Sequence, residues 1–189
     1  MFVDLKLSAN FRGILHYNEI KVEKGAAQCI YAGNFLKDAD QLSDHEKNQR
    51  FADIAQLSPE SQRTGAHIII RFSPDDKLDN SKMIDISRDY MRGIGFDRHP
   101  YLIYRHFDAF APHVHIVTTN QQSDGVHRRN GDLIPDVTTP LAKPLEKEYG
   151  LVRADEKSLC EKHNPEQSIQ YGERPTRQAM TLTRFHKGL

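Results

Sequence analysis

The chain has 189 residues, with 26 Lys+Arg balanced by 26 Asp+Glu and only two cysteines. This length suits one domain with a real core, and the zero formal charge excludes a global electrostatic pull toward nucleic acid, so any basic surface must be local. The opening Met-Phe-Val-Asp-Leu-Lys lacks the apolar run of a signal peptide and nothing later approaches a membrane span; Cys29 and Cys160 form no metal-type spacing, so two free thiols in a cytoplasmic protein are expected.

In chain order, Phe2 to Leu7 alternates apolar and polar residues and predicts a first strand. Residues 8–13 read as a turn, with Ser8 or Asn10 as a cap for a short helix from Ile14 to Glu23 that carries Tyr17. Cys29 to Ala32 reads as a short strand and Gly33 to Asp44 as irregular chain. Phe51, Ile54 and Ala55 give Asp44 to Leu57 a helical spacing, broken at Pro59. The run His67-Ile-Ile-Ile-Arg-Phe72 predicts a central, well-buried strand. Ser73-Pro-Asp-Asp is a turn placed to cap the helix Asn80 to Met91, which Gly93 and Gly95 stop.

Two further β runs follow, Tyr101 to His106 and His113 to Thr118, joined by a link holding Asp108 and Pro112. Residues two apart on a strand share a face, so His113 and His115 project together while Val114 and Ile116 point away. A lone strand histidine is ordinarily a half-exposed surface residue. Two like-facing imidazoles on an apolar strand are costly to bury without a ligand, and a hairpin would bring His106 level with them. Three converging imidazoles make a half-open metal site. By the same parity His67 shares a face with Ile69 and Arg71.

Residues 121–129 read as a loop holding His127, Arg128 and Arg129. Thr138 to Tyr149 predicts a helix broken near Pro144 and stopped by Gly150. From about residue 155 the chain turns polar. The division expected is a catalytic domain over 1–154 and a polar C-terminal segment over 155–189, the start of a truncated region. The fold expected is α+β, a sheet mixing hairpins with helices on one side, with the chemistry on the exposed face of its central strands.

The run His106-Phe-Asp-Ala-Phe-Ala-Pro-His113-Val-His115-Ile-Val resembles the H-x-D…P-H-x-H motif of conjugative relaxases, the mobilisation nucleases within the HUH endonucleases, and is most similar to those of Bacteroides-type mobilisable elements. Phe11-Arg-Gly-Ile-Leu-His-Tyr17-Asn is similar to their N-terminal nucleophile motif, His67 to Ser73 to the strand before the metal hairpin, Asp85 to Gly95 to the helix and its glycine stop, and Leu145 to Leu151 to the segment ending the core. The resemblance spans roughly residues 5 to 153. It departs from many relatives at Phe107, Ala109, Phe110 and Ala111, where they carry polar or acidic residues.

The resemblance implies a central antiparallel sheet of about five strands with flanking helices. It also implies nicking of one DNA strand at an origin of transfer, through attack of a tyrosine on the scissile phosphorus to give a 5′-phosphotyrosine. Tyr17 is the expected nucleophile, with Tyr31 the main rival, His16 a remote one and Tyr104 structural. His106, His113 and His115 are the expected ligands of a divalent ion. Mn or Mg is what the relatives imply, while nitrogen ligands favour Mn, Co, Ni or Zn by intrinsic affinity. Asp108 is expected to fix the tautomer of one ligand histidine, His67 to bond a ligand or the phosphate, and Arg71, Arg105, Arg128 and Arg129 to contact phosphates. The partners implied are single-stranded DNA and accessory mobilisation and coupling proteins, without membrane insertion.

Three other readings share some of these residues. A rolling-circle replication initiator or transposase would place its tyrosine after the histidines rather than before them. A non-catalytic, metal-containing DNA-binding module would form no covalent adduct. A hydrolase using activated water would release product without a protein–DNA bond.

Overall fold

The isoleucine run at 68–70 lies one strand in from the edge of a five-stranded sheet, in a computed structural model that describes residues 1–8, 10–57, 65–121 and 139–153. The strands are β1 (Phe2–Ser8), β2 (Ala27–Gly33), β3 (Gly65–Arg71), β4 (Tyr101–His106) and β5 (His113–Thr119). Their spatial order is β1-β3-β5-β4-β2, and every neighbouring pair is antiparallel. β5 takes the middle because all of its residues are buried, which only a strand covered on both faces can satisfy. The α+β class and the five-stranded antiparallel sheet are as the sequence indicates.

Among the described residues, four α-helices flank the sheet: α1 (Phe11–Glu23), α2 (Asp44–Gln56), α3 (Asn80–Gly93) and α4 (Ala142–Glu148). They cover both faces, which corrects the expectation of helices on one side. On one face Met83, Ile86 and Met91 of α3 and Leu145 of α4 share a core with Ile68, Ile70, Val114 and Ile116. On the other, Ile14 and Leu15 of α1 and Phe51 of α2 share a core with Leu102, Tyr104 and Val117. The reason is in the strands: β4 and β5 carry large apolar side chains on each face, Ile103, Val114 and Ile116 on one and Leu102, Tyr104 and Val117 on the other, so each face needs a cover.

Local signals set the helix ends. Asn10 caps α1, its Oδ1 accepting the Gly13 N–H at 3.0 Å, so the helix begins at Phe11 rather than Ile14. Ser8 closes β1 instead and accepts the Asn10 N–H. Ser43 and Glu46 form a reciprocal capping box on α2. The cap of α3 is Asp79, bonded to the Lys82 N–H at 2.8 Å, and not the 73–76 turn. Pro144 does not break its helix: a 3-10 turn at Thr139–Leu141 leads into α4, where Pro144 sits in the first turn and its missing N–H costs nothing. The expected break at Pro59, the loop residues 122–129 with Arg128 and Arg129, Cys160 and the segment 155–189 lie outside the described residues.

Candidate active site

The register of the β4–β5 hairpin pairs His106 with His113 and Tyr104 with His115, so the three expected histidines meet at one end of the sheet. The His106 and His115 rings stack with centroids 3.8 Å apart, and His113 lies 5.4 and 5.3 Å from them. One ring nitrogen from each falls within 4.8 Å of the others, a group that could hold a metal ion. The rings are buried, with exposures of 3, 7 and 4% for His106, His113 and His115. This corrects the expectation of an exposed catalytic face, because α1 packs across the same side of the sheet.

What stands behind each ring decides which nitrogen faces the centre. His113 Nδ1 is 3.0 Å from the Ala111 carbonyl, which can only accept, so Nδ1 carries the proton and Nε2 keeps its lone pair. His115 Nδ1 is 3.0 Å from His67 Nε2. His106 Nε2 is 2.8 Å from the side-chain oxygen of Asn18. The remaining His106 nitrogen, Nδ1, is buried without a hydrogen-bond partner. A buried polar atom left open is unfavourable unless something binds it, and a divalent cation is the partner that a trio of neutral imidazoles fits.

Two of the three rings, His106 and His115, are held neutral, as ligands must be. Burial, helped by the neighbouring histidines, pushes His106 down to about 4 and holds His115 well below the ordinary imidazole value. Burial pushes His67 down to about 3, so it stands as an uncharged partner beside His115.

α1 delivers Tyr17 to this cluster. Its ring lies 6.1 Å from those of His106 and His115, nearly parallel to both, and 6.5 Å from His67. Burial raises the Tyr17 phenol above its ordinary value, opposed by the charge of Lys21 one helical turn on, whose Nζ sits 5.7 Å from the ring centroid. The other candidates stand elsewhere. Tyr31 packs against Tyr101 and under Arg88 on the opposite face of the sheet. His16 is exposed. Tyr104 is fully buried and donates its hydroxyl proton to Glu19.

Asp108 lies in front of the histidines rather than behind them. Its Oδ1 is 3.5 Å from His113 Nε2 and 3.7 Å from His106 Nδ1, the nitrogens that face the centre. The groups behind the three rings are instead Asn18, the Ala111 carbonyl and His67. The other carboxylate oxygen of Asp108 accepts from Lys21 at 2.7 Å. Burial pushes the carboxyl up, but the opposing pull, led by the hydrogen bond from Lys21, leaves Asp108 below the usual carboxylate value. Arg71 lies on the histidine side of β3, over the Phe2 ring. Arg105 points to the opposite face, bonded to Asn80 at 2.7 Å, and is not brought to the histidines.

Three contributors escaped the sequence reading. Lys21 follows Tyr17 by four positions and so shares its helix face, but Asn18, one position on, carries no such signal, and neither position tells where the helix docks. The third is a buried ion pair, Glu19 with Lys47 at 2.8 Å, which ties α1 to α2 beneath Tyr104.

Comparison with models of known families matches residues 17–151 to one described as "Relaxase: MobA/VirD2-like, nuclease domain". The match begins at Tyr17 and takes in the whole histidine hairpin. No curated protein matches the chain.

Proposed function

Because the chain belongs to the family of MobA/VirD2-like relaxase nuclease domains, we propose that it nicks one strand of DNA at an origin of transfer by tyrosine transesterification, for mobilisation of a plasmid or integrative element. The observation that carries this reading is the near-parallel stacking of Tyr17 6.1 Å from two of three histidines whose ligand nitrogens lie within 4.8 Å of one another.

His106, His113 and His115 would hold a divalent ion, Mn or Mg by the family resemblance, with Zn, Ni or Co also compatible with nitrogen ligands. When bound, the ion supplies charge stabilisation to the scissile phosphate. The protein's own groups do the rest. The phenolic oxygen of Tyr17 gives up its proton to solvent and forms a bond to phosphorus as the bond to the 3′ oxygen breaks and that oxygen takes up a proton from solvent, so a 5′-phosphotyrosine and a free 3′-hydroxyl result and phosphodiester energy is kept for rejoining. Lys21 stabilises the phenolate, since its charge opposes the upward push of burial on Tyr17. Asp108 anchors Lys21 and adds a carboxylate beside the ligand nitrogens. Arg71 on the histidine side is placed for a phosphate contact, and accessory mobilisation and coupling proteins are the expected partners.

The test is to incubate the protein and Tyr17→Phe with labelled single-stranded oligonucleotides from its own element plus Mn²⁺ and run denaturing gels. A slow covalent band present in the parent and absent in Tyr17→Phe supports the reading. Nicking unchanged in Tyr17→Phe removes Tyr17 as nucleophile.

A further inference from the structure

Resting on the reading that the three histidines hold an ion, we infer that Asn18 is a positioning residue for His106. Through its side-chain oxygen it keeps His106 protonated on Nε2 and so presents Nδ1 to the ion, from the same helix turn that carries Tyr17.

The orientation of the amide is fixed first. Asn18 Nδ2 donates to the Ile14 carbonyl at 2.9 Å, and because a carbonyl cannot donate, the amide nitrogen must be the end facing it. That leaves Oδ1 facing His106 Nε2 at 2.8 Å. An amide oxygen can only accept, so Nε2 must carry the ring's single proton. Asn18 is fully buried, so no bulk water competes for either bond. The lone pair is thereby committed to Nδ1, the buried nitrogen that has no hydrogen-bond partner.

The consequence reaches the nucleophile. Asn18 and Tyr17 are consecutive in α1, so a shift of this helix that would carry the phenol away from the cluster also breaks the bond that orients His106. Ion affinity and tyrosine placement are then linked through one side chain. An outer hydrogen-bond partner of a ligand histidine ordinarily affects metal affinity by about 10- to 100-fold.

Two measurements test this without any cleavage assay. Long-range ¹H–¹⁵N spectra of the metal-free protein are expected to show His106 protonated on Nε2, with Asn18→Ala giving a mixture of tautomers. In Co²⁺ titrations followed by absorbance, Asn18→Ala is expected to weaken binding about 10- to 100-fold. Asn18→Leu, which fills the space without an acceptor, is expected to weaken it similarly. The loss from Asn18→Ala should vanish in a His106→Ala background and persist in a His113→Ala background, as coupling through His106 alone requires. A proton on Nδ1 of His106 in the parent, full affinity in Asn18→Leu, or an equal loss in both backgrounds overturns the assignment. Failure of the protein to cleave DNA while these results hold would count against the proposed function and leave the role of Asn18 standing.

Discussion

Lys21 Nζ stands 2.7 Å from the Asp108 carboxylate, joining the helix that bears Tyr17 to the link between two candidate ligand histidines. The pair holds a positive charge near a phenol that burial makes harder to ionise. The hydrogen bond to Asp108 keeps Lys21 charged by raising its own pKa.

Replacing Lys21 by Met is therefore expected to lower the single-turnover nicking rate at neutral pH by about 10-fold, the rate equivalent of about 1.4 kcal/mol of lost charge stabilisation. The sign follows from the charge: without the cation the Tyr17 pKa rises further, so the rising limb of the pH–rate profile moves to higher pH. Lys21→Arg should retain most of the rate. A Lys21→Met profile that overlays the parent would remove this role.

The buried histidines set a pH window for the metal-free protein. His106 and His67 titrate at about 4 and about 3 when folded, and His115 also lies well below the ordinary 6.5. Between pH 6.5 and 4 the unfolded chain binds more protons than the folded one, so stability rises with pH across this window and levels off above it. Each proton contributes up to about 1.4 kcal/mol per pH unit. Denaturant unfolding from pH 7 down to 4.5 is expected to show a steadily falling midpoint, less steep in His67→Phe. A flat profile would show that the rings are not held neutral.

His113→Ala should abolish Mn²⁺-dependent cleavage while leaving much of the single-strand binding, because phosphate contacts spread over other residues carry affinity. Fluorescence anisotropy and cleavage assays on the same preparation separate the two. Full cleavage activity in this variant would contradict the ligand assignment.

Glu19 and Lys47 are both about 5% exposed and lie beneath Tyr104. Lys47→Met leaves a buried carboxylate uncompensated and is expected to destabilise the fold by about 3–5 kcal/mol. The double replacement Glu19→Gln with Lys47→Met should recover much of that loss, since paired removal strands no charge. Chemical denaturation of the parent and these two variants measures both effects; a Lys47→Met variant as stable as the parent would show that the pair contributes nothing.

Period-two alternation made the histidine cluster legible in the sequence. Once residues 113–118 form a strand, His113 and His115 share a face, and a hairpin places His106 opposite His113. His67 followed by the same parity on β3. What stayed hidden depends on how helices dock on the sheet. Nothing local in Tyr17-Asn18-Glu19-Ile20-Lys21 says that α1 crosses the end of the histidine hairpin, so the partnerships of Asn18 with His106 and Lys21 with Asp108 emerge only in three dimensions. The covered histidine face did leave a signal: Leu102 and Tyr104 share parity with His106, and their burial requires a helix over that side. Pro144 leaves its helix unbroken because a proline breaks a helix interior but is at home in a first turn.

The most direct measurement is to trap the cleavage product of a cognate oligonucleotide, digest the protein and locate the nucleotide adduct by mass spectrometry. A 5′-phosphate linked to the Tyr17 hydroxyl is expected. An adduct on any other residue, or cleaved DNA with no adduct anywhere on the chain, would contradict tyrosine transesterification at this site.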